Sequence, residues 1–168
     1  NNKLEMQDGK SKNYFPTHKM RIPVDKDLVL KNNTVPSFLA NRIVPSIDWE
    51  LNKSVIMKND LMVLDLFATN NWDRPIYFAV TTGPDSYMDL QDYFQLEGLA
   101  YRLVPVKNTP EEQQIGSRVA TSIMYDNIMN KFKWGGMEKR GVYLDENISR
   151  MTMNLRIQMG ALASALIA

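Results

Sequence analysis

Two short connections hold the residues whose types could do chemistry. Asn70-Asn71-Trp72-Asp73-Arg74-Pro75 sets an indole beside two amides, an acid and a guanidinium. Saccharide sites are often built this way, the ring supplying apolar area and the planar groups directional hydrogen bonds. The same residues also read as a tight connection in which the Asn pair closes a helix, Trp72 packs and Asp73 pairs with Arg74. Farther on, Thr81-Thr82-Gly83-Pro84-Asp85-Ser86 offers hydroxyls, a carboxylate and a glycine that admits close backbone approach. Ligands of open parallel sheets gather at the carboxyl ends of strands, and this group follows the strand expected at Ile76–Val80. The candidate ligand-binding residues are therefore Trp72, Asp73 and Arg74, or Thr82, Gly83 and Asp85.

Neither group amounts to a catalytic motif, and no residue is assigned a catalytic role. The phosphate-loop patterns G-x-G-x-x-G and G-x-x-x-x-G-K-[ST] and the nucleophile pattern G-x-S-x-G are all absent. Cysteine is absent and histidine occurs once, as His18, which removes thiolate chemistry, Cys-ligated zinc and His-rich metal sites. No metal or cofactor is expected. Asp85, Asp89 and Asp92 could form an oxygen-only rim, but their spacing matches no Ca²⁺ loop. Asp65, set among apolar residues, calls for an Arg partner such as Arg74 or Arg102, because an unpaired buried charge costs several kcal/mol, of order ~5. A carbohydrate-active enzyme would need two of Asp65, Asp73, Asp92 and Glu97 facing each other across roughly 5–10 Å. Of the eleven Met residues, Met124, Met129, Met151 and Met159 fall on apolar stripes and read as adaptable core fillers.

The elements that must position these residues follow from pattern. Met20–Val24 and Ile47–Leu51 read as strands; Asp25 caps a short helix through Leu30, and Pro36-Ser37 opens a second. Asn59-Asp60 caps Leu61–Ala68, apolar nearly all round and so expected to be buried on most of its surface. Ile76–Val80 reads as a central strand covered on both faces. Helical spacing of Met88, Leu90, Tyr93, Phe94 and Leu96 predicts a helix over 87–96, and Leu99–Val104 a further strand. Arg118–Phe132 reads as a helix, and Asp145 caps a long last helix striped by Ile148, Met151, Leu155, Met159, Leu162 and Leu166. The expectation is an α/β fold with a small, mostly parallel sheet and flanking helices over 20–106. An arm over 1–19 precedes it; a linker over 107–115 and a truncated helical hairpin over 116–168 follow.

Twenty Lys and Arg against nineteen Asp and Glu leave a net charge of +1 on 168 residues. Nucleic acid is therefore not an expected partner, since neutralising many phosphates needs a strong basic excess. The charge is uneven. Residues 60–97 carry seven acids and only Arg74, while both flanks are basic. No run approaches the roughly 20 apolar residues that cross a bilayer. With no initiator Met and a final helix that stops in mid-pattern, the chain reads as a piece of something longer.

Three stretches together carry a resemblance: Leu61–Ala79, Asp92–Pro105, and Met124–Asn127 with Gly141–Asn147. They resemble the C-terminal soluble region of a bacterial family of multi-pass membrane proteins of unknown function, grouped with glycosyltransferases akin to protein O-mannosyltransferases. The resemblance spans most of 15–168. It implies an upstream transmembrane bundle in the same parent chain, a periplasmic location at the inner membrane, and tetratricopeptide-like helices that begin in the last hairpin. The expected function is a non-catalytic accessory domain that positions an acceptor or partner, protein or glycan. The alternatives are the paired-carboxylate enzyme and an interaction module acting through the last helix.

Overall fold

The computed structural model describes residues 3–5, 11–14 and 16–167. Strands β1 (Lys3–Glu5) and β2 (Ser11–Asn13) pair antiparallel where an arm was expected. Residues 1, 2, 6–10, 15 and 168, within the expected arm and final helix, lie outside the described residues.

β3 (Lys19–Pro23) and β4 (Ser46–Glu50) form an antiparallel ribbon with Ile22 opposite Ile47 on its buried face. Its outer face pairs Arg21 with Asp48, Nε donating to Oδ1 at 2.5 Å. Between them lie α1 (Lys26–Lys31) and a 3₁₀ turn at Ser37–Arg42. Asp25 caps α1 by accepting from the N–H groups of Asp27 and Leu28 at 3.0 and 3.1 Å, satisfying donors that have no partner inside the helix. α2 (Lys58–Thr69) packs through Val63, Leu64 and Phe67 only. Leu61, Met62 and Leu66 are exposed, so the expectation of a helix buried on most sides fails. One layer covers one helical stripe and no more.

The principal sheet has four strands, β5 (Tyr77–Ala79), β6 (Phe94–Leu96), β7 (Ala100–Leu103) and β8 (Arg118–Val119), in the order β5-β7-β6-β8. β7 pairs antiparallel with both β5 and β6, and only β6 and β8 run parallel. The expectation of a mostly parallel sheet is therefore wrong, and for β6 and β7 the short connection explains why. A parallel pair needs a crossover of about a dozen residues or more. Only residues 97–99 separate β6 from β7, with Gly98 at φ +128° in the turn. The parallel partners β6 and β8 are joined by residues 97–117, which carry β7 and α3 (Pro110–Gln114) and are long enough for the crossover. β5 is an edge strand with Tyr77 and Ala79 exposed, rather than a central strand covered on both faces.

The helix expected over 87–96 is also absent. Two 3₁₀ turns, Pro84–Tyr87 and Gln91–Tyr93, lead directly into β6. Tyr87, Met88, Leu90 and Tyr93 are all buried, but along compact turns rather than one helical face. The Tyr87 ring joins an aromatic cluster with Phe67, Phe78, Phe94 and Tyr101, neighbouring centroids 5.0–6.3 Å apart. Most of these contacts are tilted or edge-on, the arrangements that ring quadrupoles favour.

After β8 come α4 (Thr121–Asp126), a π-helical turn at Asn127–Lys131, and α5 (Glu146–Ile167). Asp145 does cap α5, accepting from the Ile148 N–H at 2.8 Å. A tetratricopeptide unit closes two matched helices in about 34 residues. Helices of 6 and 22 residues, with a π turn and residues 132–145 between them, do not make one. A second apolar cluster of Leu96, Met124, Ile128 and Leu162 ties these helices to the sheet.

Candidate functional site

Strand alternation gives the four-stranded sheet two unlike faces. Phe78, Phe94, Tyr101 and Leu103 enter the aromatic cluster. The intervening positions send Tyr77, Arg102, Gln95 and Arg118 to the opposite face. Register then lines them up in one row across all four strands: Tyr77 opposite Arg102, Arg102 opposite Gln95, Gln95 opposite Arg118. Glu97, two residues beyond Gln95, projects on the same side and closes the network.

Both carboxylate oxygens of Glu97 are engaged. Tyr77 Oη donates to Oε2 at 2.7 Å, Gln95 Nε2 donates to Oε1 at 2.5 Å, and Arg102 Nη1 lies 3.5 Å from Oε1. Arg118 Nη2 donates to Gln95 Oε1, so the side-chain amide links the carboxylate to the second guanidinium. Arg102 also lies over the Tyr77 ring, 6.0 Å from its centroid, within cation–π range. The row is shut at one end and open at the other. Gln95 is 1% exposed, Glu97 7% and Arg118 9%, whereas Tyr77 is 47% exposed.

Electrostatics follow this burial. Burial and the neighbouring Glu97 carboxylate push the Tyr77 phenol up to about 12. Burial pulls the Arg118 guanidinium below its usual value, with Glu112 and Glu97 acting in the other direction. Glu112 is clamped by Arg42 through Nη1 at 3.2 Å and Nη2 at 2.8 Å, a bidentate pair. Burial alone would raise the Glu112 carboxyl, but Arg42 and the Thr109 N–H outweigh it and hold it below the ordinary range. The Nε–H groups of Arg102 and Arg118 are buried without partners.

This arrangement fixes a ring, a phenol and a guanidinium at the open end of a rigid sheet. It can offer a stacking surface and fixed donors. It is poorly built to move protons, because its carboxylate is enclosed and occupied and its phenol does not ionise near neutrality. Among the described residues, no group of three or more His, Cys, Asp or Glu is placed to hold a metal ion.

Residues 1–123 match the family model of TMEM260-associated domain 2. The chain belongs to that family. The TMEM260-associated domain 2 match takes in the chain from β1 to the first turn of α4, including every member of the polar row, and stops before the π turn and α5. It starts and ends earlier than the expected span of 15–168. No curated protein matches the chain, and neither does any solved structure.

Within this TMEM260-associated domain 2, the residues singled out by sequence lie elsewhere. Trp72 is 7% exposed; its Nε1–H donates to the Pro23 carbonyl at 3.2 Å, and its own carbonyl accepts from Asn32 Nδ2 at 3.1 Å. Asn71 and Trp72 both have positive φ, 45° and 61°, a backbone state costing of order 1–3 kcal/mol each that packing must hold in place. The pocket below, lined in part by Asn70, Asn71 and Trp72, measures about 40 Å³ and admits water rather than a sugar ring. Asp73 and Arg74 are exposed, as are Gly83 and Asp85, with Thr82 half-buried. The two groups flank β5 at opposite ends instead of converging. Gly83 has φ −67° and open space where a Cβ would stand, so neither strain nor close approach requires glycine there.

The carboxylates are dispersed as well. Asp65 is exposed on α2, and Arg102 pairs with Glu97 rather than with Asp65. Asp89 accepts from the Asn52 N–H at 2.7 Å, while Asp92 meets Lys107 at 3.6 Å and Gln113 at 3.1 Å. Among the described residues no helix is long and apolar enough to cross a membrane. The polar row did leave a trace in the sequence. Phe94-Gln95-Leu96-Glu97 alternates with period two, but the helical spacing just upstream concealed it.

Proposed function

We propose that this chain is a non-catalytic accessory domain of an O-mannosyltransferase-like membrane protein, positioning an acceptor or partner for chemistry done elsewhere in the parent. In this reading the parent carries its membrane spans upstream, and the domain faces the periplasm of a bacterial inner membrane. Family membership and the resemblance in Leu61–Ala79 and Asp92–Pro105 support the context. The observation that carries the non-catalytic part is Glu97. It is the carboxylate best placed beside an exposed aromatic, yet Tyr77, Gln95 and Arg102 occupy it from the protein side. What is left for a partner is the half-exposed Tyr77 ring with Arg102 over it, a surface for stacking and hydrogen bonding.

Two measurements test this. The isolated chain, incubated with polyprenyl-phosphate mannose, nucleotide-linked mannose and aryl glycosides, gives no transfer and no hydrolysis. In the full-length parent, Tyr77→Ala raises the acceptor KM severalfold and leaves kcat unchanged. Turnover by the isolated chain that disappears in Glu97→Gln overturns the reading.

A further inference from the structure

Outside the matched region, α4, the π turn and α5 enclose an apolar groove of about 400 Å³. Its floor is Ile128 and Leu162, both buried, and its walls include Tyr125, Met129, Trp134, Met159 and Leu166. The wall residues are unusually exposed for their type, Met129 at 63%. On α5 the lining falls at Met159, Leu162, Ala163 and Leu166, that is i, i+3, i+4 and i+7, so it offers two helical turns, about 11 Å, as one wall. Met and aromatic walls suit adaptable reception of a helix whose anchors repeat at the same intervals.

The unpaired charge beside the groove is basic, because the acid next to Tyr125, Asp126, is paired with Lys131 at 2.6 Å. From residue 127 onward six Lys and Arg stand against three acids, and α5 carries none after Glu146. Lys133 adjoins Trp134 in the sequence, and Arg156 lies one turn before Met159 on α5. Lys133 and Arg156 have no ion-pair partner among the described residues. A flat lipid surface could touch the rim but could not reach the buried floor, whereas side chains from a helix could. We propose that this groove docks an amphipathic helix of a protein partner whose apolar stripe is flanked by Asp and Glu. The acidic flanks meet Lys133 and Arg156 while two turns of apolar side chains fill the space above Ile128 and Leu162. The site is distinct from the polar row and stands whether or not the parent is a transferase.

The test is selection of the whole chain against a displayed library of 20-residue amphipathic helices in which apolar stripe and flanking charge vary independently. Helices with acidic flanks are expected to be enriched. Synthetic copies bind at least tenfold more weakly when the flanks are changed to Lys, and at least tenfold more weakly to Met129→Glu or Leu166→Glu. Both positions are exposed, so each variant is expected to keep the parent melting temperature. Failure to enrich any helix, enrichment of basic flanks, or binding untouched by both variants overturns the proposal. So does either of two other occupants: phosphatidylglycerol vesicles that co-sediment the chain but not Met129→Glu, or a homodimer in light scattering that Met129→Glu dissolves.

Discussion

The four-stranded sheet and the C-terminal helices handle their awkward groups in opposite ways. The sheet brings charged and polar side chains out of water and then matches them, Glu97 to Tyr77, Gln95 and Arg102, and Glu112 to Arg42. The C-terminal helices bring apolar side chains together and leave them open, with Met129, Met151, Ile157 and Leu166 in solvent. The whole chain exposes 11737 Å², against roughly 8,500 Å² for a compact monomer of its mass. The enclosed Glu97 carboxylate is already occupied and has little left to gain from a ligand, unlike the open Tyr77 end of the row, whereas an open apolar groove gains for each Å² that a partner covers. The difference is between polar groups enclosed and apolar groups left open, and the family match ends close to where the two regions meet.

That contrast can be broken or sharpened by substitution. Phe94→Ala removes the ring that touches Phe78, Tyr87 and Tyr101 at the centre of the aromatic cluster. It is expected to cost about 4 kcal/mol in urea unfolding; a loss below 1 kcal/mol would mean that the sheet region is not the stabilising core. Glu97→Ala strands Tyr77 and Arg102 without their acceptor and is expected to cost about 3 kcal/mol. A neutral result would show the row to be an ornament of the fold rather than its polar core.

Leu162→Ala tests the other region. A cost of about 2 kcal/mol is expected, read as early loss of far-UV helical signal while near-UV aromatic signal from the sheet survives. Simultaneous loss of both signals would abolish the distinction between the regions. The smallest effect concerns Asp60, which accepts from Lys53 Nζ at 2.7 Å and from the Met57 N–H at 2.9 Å. Those bonds, Lys53 first, hold its carboxyl below the usual range. A lowered carboxyl contributes stability above the unfolded-state value near 4 and loses it as pH falls through the folded value. Asp60→Asn is expected to cost about 1 kcal/mol at pH 7 and to flatten the fall of the urea midpoint between pH 5 and pH 2. An unchanged pH profile would place that acid sensitivity elsewhere.

Much of the local structure was legible in order. Asp25 and Asp145 cap the helices expected of them, because a side-chain oxygen before an apolar run satisfies free N–H groups whatever the fold. The strands at Met20–Val24, Ile47–Leu51 and Leu99–Val104 come within a residue or two of β3, β4 and β7. Residues 87–96 misled for a physical reason: apolar residues at intervals of one to three suit either a helix or consecutive 3₁₀ turns, and only burial against Phe78 and Tyr101 selects between them. The candidate site was harder to foresee. Trp72 looked like a binding platform because an indole among amides has the same residue types in a pocket or in a core. Arg118 was assigned to a helix, so nothing suggested that it would stand opposite Gln95.

By itself the sequence determined the punctuation: which side chains cap helices, and where proline and glycine end elements. These follow from interactions over a few residues. Tertiary structure decided the strand order, and with it the company each charge keeps. Tyr77, Gln95, Arg102 and Arg118 become neighbours only through cross-strand register, and register is set by which apolar faces close on each other. The same packing leaves the face of α5 open, because the sheet has surface enough to cover Leu162 but not the residues beyond it.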